Sequence, residues 1–164
     1  MAKMEQYALL TGSDLGNRLA NLKMALDLIS QRVGKVLMVS QILETAPWGF
    51  EADTQFLNQA ILVETYLNAH GLLDVLLEIE QEIGRIRASD EWTSRIIDID
   101  ILCTKDGIVN TDRLNIPHKF LHERVFALTP LNQIVDWKHP ILKKKYSELE
   151  AAFELLSEPV KLVD

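Results

Sequence analysis

Asp98 and Asp100 are separated by a single isoleucine. On an extended strand such positions put both side chains on one face, about 6.5–7 Å apart along the chain. Two carboxylates at that spacing can hold hard cations. Mg²⁺ takes one or two of them and completes its shell with water and phosphate oxygens. By itself an Asp-x-Asp is more often the wet face of a half-buried strand, and its neighbours decide the matter. Arg85, Arg87 and Arg95 precede it, and Arg113, His118 and Arg124 follow. Arginine stays charged and grips phosphate bidentately. Carboxylates for a metal beside several guanidinium groups are what phosphoryl transfer uses, because catalysis there is mostly positioning and charge neutralisation. Metal plus polyphosphate is therefore the preferred chemistry, against the alternative that the arginines pair with surface acids.

The other reactive side chains are less pointed. Trp48 and Trp92 fall in loop sequence, where a tryptophan either covers a core edge or sandwiches a flat heterocycle. Phe56 and Asn58 share one strand face, a ring and an amide that could read a heterocycle's edge, although Phe56 also suits a core. His118 follows Pro117 and is the histidine best placed to donate to a phosphate. His70 and His139 read as surface residues. Cys103 fits its strand's alternation poorly and has no evident catalytic task. The turn Gly12-Ser13-Asp14-Leu15-Gly16 could serve phosphates but is more simply a strand-to-helix connection. Patterns of the P-loop, GxGxxG, HExxH and GxSxG types are absent.

The 164 residues are 48% hydrophobic and 25% charged, which fits one domain over 1–164 with one sizeable core. Net charge is −7 from 17 Lys+Arg against 24 Asp+Glu, a poor balance for a nucleic-acid or membrane binder. The window 85–124 is neutral, with seven acids against seven bases, and holds five of the seven arginines, so the −7 belongs to the remainder. A single cysteine excludes a disulfide framework. No apolar run is long enough to span a membrane, and no secretory leader is apparent. A cytoplasmic monomer is expected.

Those side chains need a frame. Residues 7–10 read as a buried strand ended by Thr11-Gly12-Ser13. Leu19, Leu22, Leu26, Ile29 and Val33 trace one helical face, with Gly34 placed to end it. Residues 36–45 read as a second strand, 46–55 as a loop, and 56–65 as a central strand apolar on both faces. Asn68 can cap a helix carrying Leu72, Leu76, Ile79 and Ile83, with Gly84 as its end. A polar stretch, 85–94, precedes an alternating strand at 95–104. The order is β-α-β-β-α-β, the ferredoxin-like arrangement with an antiparallel sheet and helices packed on it. A small hairpin (107–110 with 114–116) and extra helices at 125–134 and 146–156 follow, the first short or kinked because of Pro130.

In combination these residues resemble the 6-hydroxymethyl-7,8-dihydropterin pyrophosphokinase family over nearly the whole chain. The likeness rests on Gly12-Ser13-x-Leu15-Gly16, Thr45-x-Pro47-x-Gly49, Phe56-Leu57-Asn58, and Glu80 followed by Gly84-Arg85-x-Arg87. It continues through Trp92, Arg95-x-x-Asp98-Ile99-Asp100-Ile101-Leu102, Ile116-Pro117-His118, Arg124-x-Phe126 and Pro130-Leu131. The resemblance implies an α+β enzyme moving the β,γ-pyrophosphoryl group of ATP to the pterin hydroxymethyl oxygen, releasing AMP, in folate biosynthesis. It implies that Asp98 and Asp100 hold two Mg²⁺, and that Arg85 and Arg95 assist transfer from a mobile loop. Glu80, Arg87, Ile101, Arg113, Asn115, His118 and Arg124 would bind ATP. Thr45, Ala46, Trp48, Phe56, Asn58, Trp92, Asp98 and Phe126 would bind the pterin, with Phe56 and Phe126 stacked on its ring and Trp92 closing over it.

The stretch 85–94, starting at a helix-ending glycine and lacking apolar anchors except Trp92, suits a closing lid that expels water from a site competing with ATP hydrolysis. Departures from the family pattern are Thr93-Ser94 for Gly-Pro before Arg95, Leu77 for a glutamine, Asp14 for an asparagine, Ala88 for a basic residue, and Glu91 before Trp92. A non-catalytic RNA-binding module shares the topology but calls for a basic surface and an aromatic-rich central strand. Residues 56–65 lack that pattern. A homologue that binds pterin or nucleotide without transfer is the other alternative.

Overall fold

The computed structural model describes residues 3–45, 56–87, 96–153 and 161–162. Its elements in chain order are β1 (Glu5–Ser13), α1 (Arg18–Arg32), β2 (Lys35–Val39), β3 (Leu43–Thr45), β4 (Phe56–Thr65), α2 (Ala69–Arg87) and β5 (Asp98–Thr104). They continue with β6 (Val109–Asn110), β7 (Asn115–Ile116), a 3₁₀ turn (Leu121–Glu123), α3 (Val125–Ile134), α4 (Tyr146–Ala151) and β8 (Lys161–Leu162). The main sheet runs β5-β1-β4-β3-β8, with β2 also on β4, and every pairing is antiparallel. This is the expected ferredoxin-like sheet with helices packed on it. β6 and β7 form the expected hairpin.

Strand alternation divides the interior in two. Tyr7 and Leu9, Leu57, Ile61 and Val63, and Ile97, Ile99 and Ile101 point to one face. There they meet Leu22, Ala25 and Ile29 of α1 and Leu72, Leu76, Ile79 and Ile83 of α2. The intervening residues Ala8, Leu10, Ala60 and Leu62 point to the other face, under Ala127, Leu128, Leu131 and Ile134 of α3 and Tyr146 of α4. Asn17 caps α1 by accepting from Ala20 N at 3.1 Å, and Asn68 caps α2 by accepting from Gly71 N at 2.8 Å, as Ser/Asn/Asp caps do. Gly34 turns α1 into β2 so close to β4 that a Cβ there would lie 2.2 Å from the Glu64 carbonyl oxygen.

Several boundaries differ from the sequence reading. Thr11-Gly12-Ser13 is strand, not turn: Thr11 Oγ1 donates to Gln59 O, and the pairing with β4 persists to Ser13. The strand expected over 36–45 breaks into β2 and β3. At the break the Ser40 hydroxyl accepts the Ala60 amide at 2.8 Å and Gln59 Nε2 donates to Ser40 O, so side chains supplement the one backbone bond there, from Ser40 N to Ala60 O. α2 does not end at Gly84 but runs to Arg87, since nothing obliges the glycine to leave helical geometry. Arg85 and Arg87 therefore stand on the last helical turn rather than in a loop. β5 begins at Asp98 rather than residue 95. α3 carries Pro130 within its ten residues, and the terminal helix is α4 alone, shorter than expected within the described residues.

Cys103 departs from alternation because of a bulge. Leu9 pairs with Ile101 while Ala8 pairs with Cys103, leaving Leu102 as the extra residue, so Leu102 and Cys103 both enter the second core. Burial pushes the Cys103 thiol up to about 12, which removes it as a nucleophile at neutral pH. His139, expected at the surface, is buried. Its ring sits edge-on to His122 at 6.2 Å and 5.9 Å from Tyr146, and its Nδ1 faces the amides of Ile141 and Leu142.

Candidate active site

One row of residues crosses four strands. Asp98 pairs with Gly12, Gly12 with Asn58, and Asn58 with Leu43. Paired antiparallel residues face the same way, and this row lies on the second face, two residues beyond Leu10 and Ala60, where α3 covers the sheet. The row on one side adds Asp100 opposite Leu10, which in turn faces Ala60, and the row on the other side adds Phe56 opposite Thr45. The same face is thus packed core at one end and polar floor at the other.

Gly12 makes the floor flat. A Cβ at this position would sit 2.7 Å from Asn58 Nδ2, so any side chain would push aside the amide that lies across from the aspartates. Asn58 is only 5% exposed and donates to Thr11 O at 3.4 Å. Phe56 and Thr45 are half-buried at the floor's margin.

The aspartates are half-buried and held from several directions. Before them, Ser13 Oγ donates to Ile96 O and is itself bonded by the buried Asn21 amide. Between them, the Ile99 amide donates to Glu80 Oε2 of α2 at 2.7 Å. After them, the His118 amide donates to Leu102 O at 2.7 Å, which sets His118 beside Asp100. The His118 Nδ1 accepts from Phe120 N at 3.2 Å, so the proton of the neutral ring is assigned to Nε2, leaving it as a donor. Burial lowers the His118 pKa; the Asp100 carboxylate opposes that shift and the Arg124 guanidinium adds to it. Arg124 lies over two rings, 5.4 Å from Phe120 and 5.6 Å from Phe126. Burial also raises the Asp14 pKa, with Asp98 contributing in the same direction.

Asp98, Asp100, His118, Arg124 and Phe126 are thus assembled around one end of β5, with Asn58, Phe56 and Thr45 across the floor. Arg113 is tied to α2 through Asp74 at 2.6 Å, and Asn115 is exposed on β7. The Ile101 side chain is buried in the first core, facing away from the aspartates, so contact with a ligand falls to its backbone. Ala46, Trp48, Trp92 and Arg95, the side chains of Arg85 and Arg87, and residues 88–94 of the lid expected over 85–94 lie outside the described residues. Sequence reasoning missed three contributors: the empty place at Gly12, the Glu80–Ile99 bond and Phe120 under Arg124. Only Phe120, two residues after His118, left a local signal.

The donor set suits Mg²⁺. Among the described residues no three His, Cys, Asp or Glu side chains gather into a closed cage. Two carboxylates on one strand face, with cationic and donor groups nearby, leave room for phosphate oxygens and water in the shell, as Mg²⁺ requires. Asp98 and Asp100 are the residues that would hold it.

A ferredoxin-like sheet with a carboxylate pair, a donor histidine and an arginine on one face defines an α+β phosphotransfer enzyme. A family profile for 7,8-dihydro-6-hydroxymethylpterin-pyrophosphokinase (HPPK) matches residues 8–136, and the chain belongs to that family. It is 40% identical over 124 residues to the 2-amino-4-hydroxy-6-hydroxymethyldihydropteridine pyrophosphokinase of Methylorubrum extorquens, covering 75% of this chain and 78% of the relative. The Bacillus subtilis enzyme of the same name is also 40% identical over 124 residues, covering 75% and 74%. A folate synthesis bifunctional protein of Arabidopsis thaliana is 39% identical over 127 residues, 77% of this chain but 26% of that one. Among solved structures, a Plasmodium falciparum HPPK-DHPS superposes with a TM-score of 0.82 at 19% identity, covering 99% of this chain and 49% of that one. The chain spans about half the length of that structure, which shares its fold.

Proposed function

We propose that this chain, a pyrophosphokinase of folate biosynthesis, works from the floor formed by Asp98, Gly12 and Asn58. The pterin lies over Gly12, its edge bonded by Asn58 and Asp98, its ring stacked between Phe56 and Phe126. Thr45, Ala46 and Trp48 border it and Trp92 closes over it. The hydroxymethyl oxygen attacks the β-phosphorus of ATP. The bond from that phosphorus to the α-phosphate oxygen breaks, and AMP leaves. Asp98 and Asp100 would hold Mg²⁺, two ions in number, and the bound metal would supply neutralisation of charge on the triphosphate.

The chain's own groups orient the phosphates. His118 donates from Nε2, and Arg124, Arg87 and Arg113 supply positive charge. Arg85 and Arg95 stabilise the charge that builds as the bond to AMP breaks. Ile101, through its backbone, and Asn115 border the nucleotide, and Glu80 stands behind them on the Ile99 amide. The reading takes 1–164 as one domain acting as a monomer in the cytoplasm. Among the described residues no helix is long and apolar enough to cross a membrane.

The observation that carries the proposal is the register that sets Asp98 and Asn58 on either side of Gly12. The test is to incubate the protein with ATP, Mg²⁺ and 6-hydroxymethyl-7,8-dihydropterin and identify the nucleotide product. AMP formed in step with pterin diphosphate is expected. ADP would mean single-phosphate transfer, and no turnover would leave a binding protein.

A further inference from the structure

We infer that Glu80 is a positioning residue for the Asp98–Asp100 pair, acting through its bond to the Ile99 backbone amide. The inference rests on the reading of those aspartates as the metal-holding groups.

β5 is the outer strand of the sheet, so the amides on its outer side have no strand partner. Ile99 is the one residue between the two aspartates, and its N–H is accepted by Glu80 Oε2 at 2.7 Å. That N–H belongs to the peptide plane joining Asp98 to Ile99. Holding the plane constrains ψ of Asp98 and φ of Ile99, two of the four backbone torsions that set the relative directions of the two aspartate side chains. A bond to a carboxylate is shorter and stronger than one between neutral groups. The acceptor is itself well anchored: Glu80 follows Ile79 and precedes Ile83 on α2, and both isoleucines are fully buried in the first core. Packing on the first face is thereby transmitted through the strand edge to the chemistry on the second.

The test compares Glu80→Leu with Glu80→Gln, which keeps an acceptor. Amide hydrogen exchange is read by NMR in the metal-free protein. The Leu variant should lose about 10- to 100-fold of protection at Ile99 while amides of β1 and α1 keep theirs, and the Gln variant should retain most of it. With ATP, Mg²⁺ and pterin, the Leu variant should lose about tenfold or more in kcat with a small change in the KM for ATP, and the Gln variant should recover most of that loss. Unchanged Ile99 exchange in Glu80→Leu would overturn the inference. So would a Gln variant as damaging as Leu whose effect fell on the KM for ATP, since that would mark direct nucleotide contact. Exchange at Ile99 is read without metal or substrate, so it separates failure of this inference from failure of the metal reading.

Discussion

The two faces of one sheet are put to different use. Against α1 and α2 the strands present a largely apolar surface from Tyr7 and Val63 at one end to Ile97 and Ile99 at the other, with the buried Thr11, Ser13 and Gln59 on the same side. Against α3 they present an apolar surface for only part of their length, and then Asp100, Asp98, Gly12, Asn58 and Phe56 take over. The first face holds the strands in register, and the second spends that register on a site. A site built on strands whose reverse side is fully packed is held more rigidly than one built on loops, which suits chemistry that depends on positioning.

The sharpest break in this comparison is to remove the chemistry and spare the packing. Asp98→Ala and Asp100→Ala should each reduce Mg²⁺-dependent turnover by about 10³-fold or more while the thermal midpoint moves by a few degrees at most. Retained turnover in either variant would sink the metal assignment. The converse substitution acts on the other face. Ile29 of α1 is fully buried against the sheet, and Ile29→Ala should cost about 2–5 kcal/mol of stability, a fall on the order of 10 °C in Tm. Turnover per folded molecule, measured well below the transition, should hold within about twofold if the faces divide their work as described.

The smallest effect is in pH. Among the described residues no histidine or carboxylate is buried on the side of α1 and α2, whereas His118 and His139 both lie on the second side. Burial lowers the His139 pKa, and the neighbouring His122 adds to the shift. The folded state therefore binds fewer protons than the unfolded chain. The stability involved is fully present above the ordinary histidine value of about 6.5 and is lost as pH falls from there through the lower folded value. His118 adds a shift of the same sign. Urea midpoints from pH 8 to 5 should decline, with a shallower decline in His139→Gln; an identical slope would assign the effect elsewhere.

Much of this frame was legible in the sequence where local pattern and tertiary demand agreed. β4 and α3 match their expected residues because both are apolar enough to be buried whatever packs on them. The aspartate pair and His118 were legible as residue types at telling spacings. Register was not. That Gly12 falls between Asp98 and Asn58 depends on how three strands slide past one another, and no local spacing encodes it. The break at Ser40 needed knowledge of the Ala60 amide, and the burial of His139 needed His122 and Tyr146 in place. Gly84 carried a helix-ending signal that the backbone did not use, so the arginines after it lie one turn further along the helix than their sequence suggests.

The extra residue at Leu102 divides β5 into two stretches that answer to different demands. Up to Ile101 the strand alternates between the α2 side and the reaction, and from Leu102 onward it faces the α3 side for two residues running. The bulge works as a phase shifter. On its early side Asp98 and Asp100 face the proposed site while Ile99 and Ile101 pack in the first core, and on its late side Leu102 and Cys103 both pack in the second. Removing that one residue would merge the two phases, and a single deletion of a leucine would then disturb the proposed metal-holding pair and core packing together.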